Sequence, residues 1–205
     1  MQSIKPLISG QSVVPVVAVE NKEQTLGLAQ ALLDGGITVI EVTLRNEFAL
    51  EALSIIKESF PDMTLLAGTV TSAKQFKQVA DIGVNGVISP GITPELASAA
   101  VELKVPYLPG VGTASEIVLA MQYGLSEVKL FPATVVGGIP ALKAYYGPFP
   151  DLQFCPTGGI SESNYKDYLA LPNVMCVGGS WVAPTQSIRD LDWATITNNC
   201  LKLTQ

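Results

Sequence analysis

Not one histidine occurs in the 205 residues. That removes the commonest metal ligand and the commonest general base. A zinc-dependent mechanism is therefore not expected, and acid–base work falls to carboxylates, lysine or water. Charge is scarce as well: 15% of residues are charged, and the 12 basic ones are scattered without a run. A nucleic-acid binder would carry a basic patch or stripe, and with a net charge of −6 this chain has none. An anionic ligand would have to be met by a few local cations and backbone amides. No apolar run approaches the ~18 residues of a membrane span. The opening residues SIKPLISG look helical and lack the apolar stretch of a signal peptide. The three cysteines, Cys155, Cys176 and Cys200, are odd in number and without CxxC spacing. Cys155 and Cys176 lie in apolar strand-like runs and read as small buried hydrophobes, which suits a reducing cytoplasm.

What the chain does have is apolar bulk. Hydrophobic residues make up 48% and mean hydropathy is +0.36, enough for a large interior with surface left for a subunit interface. Short β-branched runs alternate with helical patterns. The runs predict strands at 13–19, 37–43, 64–68, 86–89, 106–110, 127–131, 152–156 and 174–179. Helices are predicted at 22–34, 48–59, 72–82, 93–103, 115–123, 138–146, 163–170 and 192–203. Thr71-Ser72, Thr93-Pro94 and Ser161 or Ser163 look like caps, and LLDGG, ADIG and MQYG like glycine stops. Eight strand–helix units at a spacing of roughly 20–28 residues predict a (β/α)8 TIM barrel in one domain, 1–205. A doubly wound open sheet fits less well, because no GxGxxG follows the first strand.

Barrel chemistry sits at the C-terminal ends of the strands. Here those ends read IEVTLRNE, AGTVTS, SPGIT, PGVGT, KLFP, PTGGI and VGGSW. Alternation puts Lys129 and Phe131 on one face of their strand, and Val39, Glu41 and Thr43 on one face of theirs. If Val128 and Leu130 pack outward, Lys129 points into the barrel. Two readings are open for it. It could fill the core as the salt-bridge partner of Glu41, or act as a desolvated amine that attacks a carbonyl. Arg45 is either a surface residue or a planar fork for a carboxylate, completed by the Thr69 hydroxyl. Gly158-Gly159 and Gly178-Gly179 are each compatible with a tight turn. Together, at the ends of the last two strands, they match the place where barrels hold phosphate on backbone N–H groups, with Ser180 adding a hydroxyl.

The motifs EVTLRN, AGTVT, SPG, PGVGT, VKLFPA and FCPTGGIS followed by VGGSW run in order from 13 to 181. In them the chain resembles the family of 2-keto-3-deoxy-6-phosphogluconate (KDPG) aldolase and 4-hydroxy-2-oxoglutarate (KHG) aldolase, the Schiff-base aldolases of the Entner–Doudoroff type. The resemblance implies Lys129 as the imine-forming residue and Glu41 as general acid/base. It further implies Arg45 and Thr69 as carboxylate ligands, and Gly158, Gly159, Gly179 and Ser180 around the phosphate. Pro90, Phe131 and Thr157 would line the pocket. It also implies a homotrimer acting on a small 2-keto acid phosphate, without metal or cofactor. Other readings are a KDPG-like aldolase for the C4 epimer (2-keto-3-deoxy-6-phosphogalactonate), a phosphate-binding barrel isomerase or synthase, and a non-catalytic sugar-phosphate-binding barrel.

Overall fold

Side-chain caps start several helices. In the computed structural model, which describes residues 3–203, the Asn21 side chain accepts from the Gln24 N–H and opens α1, Lys22–Asp34. Ser72 does the same for α3, Ala73–Ile82, which stops at Gly83 in the left-handed region. Thr93 caps α4, Pro94–Leu103, and Thr113 forms a reciprocal capping box with Glu116 at the head of α5, Ala114–Gln122. Each bond satisfies an N–H that the first helical turn leaves without a partner. The remaining long helices are α2, Ala49–Ser59, α6, Gly138–Tyr146, and α9, Trp193–Leu201.

Between the helices run parallel strands. These are β1 Val13–Val17, β2 Val39–Thr43, β3 Thr64–Gly68, β4 Gly86–Ile88, β5 Tyr107–Leu108, β6 Gly110–Val111, β7 Glu127–Leu130, β8 Gln153–Phe154 and β9 Val177–Gly179. They form a six-stranded sheet in the order β5-β4-β3-β2-β1-β9 and a three-stranded sheet β6-β7-β8. The predicted strands thus appear in an α/β fold built on a curled parallel sheet, in two pieces. The fifth run is divided at Pro109, which has no N–H to give a ladder; its carbonyl still accepts from the Lys129 N–H at 2.8 Å. Single bridges, Phe154 to Val174 and Thr157 to Gly178, link the β8 and β9 segments.

Three local expectations differ from the structure. Ser161 and Ser163 do not cap a helix but bond to each other at 3.0 Å, and α7 spans only Tyr165–Leu169. A short helix, α8, Thr185–Arg189, precedes α9; five residues are too few to show a period. The last helix, expected at 192–203, spans Trp193–Leu201. All three cysteines are free and buried, Cys155 and Cys176 as expected.

Candidate active site

All five residues of β2 are buried, and so are all four of β7. The two strands belong to different sheets, yet their side chains meet: Lys129 Nζ donates to Glu41 Oε1 at 2.9 Å and Oε2 at 3.1 Å. The contact therefore crosses the interior that the two sheets enclose. Val128 and Leu130 are fully buried on the other face of β7, so the inward orientation read from alternation holds. Lys129 is 5% exposed and Glu41 2%. A buried pair of this kind usually costs more in lost hydration than its mutual attraction returns. The Phe131 ring lies 5.5 Å from the lysine nitrogen, adding an apolar wall and a cation–π contact.

Gly68 makes room for the carboxylate. A Cβ there would stand 2.2 Å from Glu41 Oε1, so only glycine leaves the space. Sequence reading passes over this residue; its one signal is a glycine at the last position of a strand. Below Thr157 lie two thiols that alternation alone does not connect. Cys176 shares a hydrogen bond with Cys155, which draws the Cys155 thiol below its usual pKa; the Lys129 charge helps, and burial and Glu41 oppose. Cys176 is pushed well above its usual value by the same bond and by burial. Both thiols are close enough to feel the Lys129–Glu41 pair.

The other candidates gather at strand ends. Arg45 stands two residues beyond β2, exposed, and its guanidinium has no ion pair or hydrogen bond among the described residues. Thr69 follows β3 at φ 61°, a left-handed conformation that costs a non-glycine residue on the order of 1–3 kcal/mol. Pro90 is held in a tight loop. The Ser89 hydroxyl donates to the Gly91 carbonyl at 2.6 Å, and a Cβ on Gly110 would strike the Pro90 carbonyl at 2.1 Å. Thr157, 6% exposed, packs on Gly178, where an added Cβ would come within 2.3 Å of its hydroxyl. Gly158 and Gly159 have φ of 95° and 76°. Their N–H groups, and that of Ser180, make no hydrogen bond among the described residues. Arg45, Thr69, Pro90 and Ser180 make no hydrogen bond to Lys129; each follows the C-terminal end of its own strand. A separate groove of about 430 Å³ lies behind Trp181, lined by Tyr165, Lys166 and Lys202.

An inward lysine–carboxylate pair, in a fold whose strand ends carry hydroxyls, an unpaired arginine and open backbone amides, has the groups to bind an anionic carbonyl compound and move protons on it. The family model described as KDPG and KHG aldolase matches residues 4–199. The chain belongs to this aldolase family. Relatives agree: the 2-dehydro-3-deoxy-phosphogluconate aldolase of Dickeya dadantii is 46% identical over 195 residues, 95% of this chain and 92% of that one. The KHG/KDPG aldolase of Escherichia coli K12 is 45% identical over the same shares. Among solved structures, KDPG aldolase from Legionella pneumophila, with pyruvate captured at low pH as a covalent carbinolamine, superposes on this aldolase with a TM-score of 0.97. It is 43% identical, and the match covers 100% of this chain and 99% of that one.

Proposed function

We propose that this aldolase cleaves KDPG to pyruvate and glyceraldehyde 3-phosphate through an imine on Lys129, and KHG to pyruvate and glyoxylate by the same route. The buried Lys129–Glu41 pair carries the reading. The Lys129 amine attacks the C2 ketone, and the carbinolamine loses water to give a protonated imine. Glu41, directly or through water, takes the proton of the C4 hydroxyl. The C3–C4 bond breaks and its electrons pass to the imine nitrogen, leaving an enamine and the free aldehyde. Protonation at C3 and addition of water then release pyruvate and the amine. Lysine supplies the electron sink itself.

Arg45 and Thr69 are the carboxylate ligands in this reading, supported by an unpaired guanidinium and hydroxyl at the ends of two paired strands. Pro90, Phe131 and Thr157 line the pocket. Gly158, Gly159, Gly179 and Ser180 hold the phosphate, a role supported by the unpaired N–H groups of 158, 159 and 180. We further propose that the strands close as an eight-stranded barrel in one domain, 1–205. The bridges between the β8 and β9 segments and the continuity of β5 with β6 across Pro109 support closure. A homotrimer fits the half-exposed Val101, Val118 and Met121 on α4 and α5, and a cytoplasmic setting fits three free thiols.

Borohydride reduction in the presence of pyruvate tests the central step. It should fix a stable adduct on Lys129 and inactivate the enzyme, while Lys129→Arg, which keeps the charge, should abolish both trapping and turnover. A folded Lys129→Arg protein that still cleaves KDPG would overturn the mechanism.

A further inference from the structure

The segment after β7 passes directly over the glycine turn that follows β8. The Ala133 N–H donates to the Thr157 carbonyl at 2.8 Å and the Thr134 N–H to the Gly158 carbonyl at 3.2 Å. From the other side, the Asn164 side-chain amide donates to the Gly159 carbonyl at 3.0 Å. Both carbonyls of the turn are thus occupied by protein donors, while both of its N–H groups are left without acceptors. A turn satisfied in this one-sided way presents donors only, which suits an anion.

Thr134 contributes one more donor to this face. A Cβ on Gly159 would fall 2.2 Å from the Thr134 hydroxyl oxygen, so that hydroxyl lies against the bare face of Gly159. Its one hydrogen bond, to the Gly158 carbonyl, is long at 3.4 Å, and the residue is exposed. The hydroxyl is therefore weakly committed and free to turn toward a ligand. We infer that Thr134 is a further ligand of the substrate phosphate and helps set the preference for phosphorylated over unphosphorylated substrate. The inference rests on the reading of this turn as the phosphate subsite.

The test compares kcat/KM for KDPG and for KHG, which has no phosphate, in Thr134→Val, Thr134→Ser and Ser180→Ala proteins. Valine keeps the shape and removes the hydroxyl; serine restores it. Loss of one hydrogen bond to a charged group is expected to shift the KDPG-to-KHG ratio about 10-fold in Thr134→Val, with recovery in Thr134→Ser. Competitive inhibition by inorganic phosphate should weaken by a similar factor in Thr134→Val and recover in Thr134→Ser. If Ser180→Ala changes the ratio and Thr134→Val changes neither ratio nor phosphate inhibition, the Thr134 inference fails and the phosphate subsite stands. If neither variant changes them, the subsite assignment fails with it.

Discussion

Replacing Gly68 by alanine should damage catalysis although Gly68 itself carries no reacting group. Gly68 ends β3, and its backbone lies outside the left-handed region, so alanine is conformationally acceptable there. The obstacle is the Glu41 side chain: the new Cβ would lie 2.2 Å from Oε1, 2.7 Å from Cγ and 2.8 Å from Cδ. Carbon contacts settle at about 3.5–4.0 Å, so the carboxylate must retreat by roughly 1 Å. Glu41 is also held by Lys129 at 2.9 Å, so that retreat stretches the pair on which the proposed chemistry depends. A displacement of about 1 Å at a reacting group costs on the order of 10²-fold in rate. A coupled assay for pyruvate release from KDPG should show that loss in kcat, with borohydride still labelling Lys129. Deuterium uptake into the pyruvate methyl group should fall in parallel, since it isolates the proton transfer. In a Glu41→Gln background, itself expected to be about 10²–10⁴-fold slower, the alanine should add little, because both changes act through one carboxylate. A folded Gly68→Ala enzyme within a few-fold of the parent, or full additivity with Glu41→Gln, would refute the argument.

Two further outcomes are expected. Activity should survive prolonged EDTA treatment, because the chain has no histidine and the described residues contain no cluster of three His, Cys, Asp or Glu suited to a metal; a loss reversed by added zinc or magnesium would count against the lysine mechanism. At high pH, stability should depend on Tyr107, which is 1% exposed and whose hydroxyl burial pushes from 10.0 up to about 12. The neutral phenol is favoured in the fold. Its contribution is therefore complete below pH 10 and is lost as pH rises from 10 to about 12, amounting to on the order of 3 kcal/mol. Urea titrations at stepped pH should show a shallower alkaline decline for Tyr107→Phe, and an unchanged slope would contradict it.

How far the sequence carried this depended on the range of the interaction. The strands predicted at 37–43 and 64–68 announce themselves through local β-branched runs, and Ser72 and Thr93 sit where short-range capping needs them. The inward orientation of Lys129 and Glu41 followed from a two-residue period. Their salt bridge was one of two readings the sequence left open, and the 2.9 Å contact shows it in place, although β2 and β7 are far apart in sequence and in different sheets. Gly68 and Thr134 were illegible because their roles rest on contacts between elements distant in sequence. What a glycine makes possible depends on which side chain lies opposite, and Glu41 lies opposite one, Thr134 opposite another. The cysteines were legible as buried residues but not as a hydrogen-bonded pair beside a lysine. Arg45 stayed open between surface and site; the structure leaves it exposed and without an ion pair among the described residues.

The resting ion pair also bears on how a lysine enclosed in the interior could become a nucleophile. Two charges buried to this degree contribute little to stability, and well-packed apolar residues of similar volume would serve a core as well or better. A purely structural account of Lys129 and Glu41 therefore lacks a benefit to explain the expense. In the proposed mechanism the arrangement has a use. The ammonium hydrogen already points at a carboxylate oxygen 2.9 Å away, so its transfer gives a free amine and a carboxylic acid with no movement of heavy atoms and no proton released to solvent. Both products are neutral, and a dry interior tolerates neutral hydrogen-bonded groups far better than separated charges. In that mechanism Glu41 would return the proton to the carbinolamine oxygen that leaves as water, and the resulting carboxylate would accept the C4 hydroxyl proton. One carboxylate, kept in position by the missing side chain of Gly68, can thus serve successive steps as base, acid and base again.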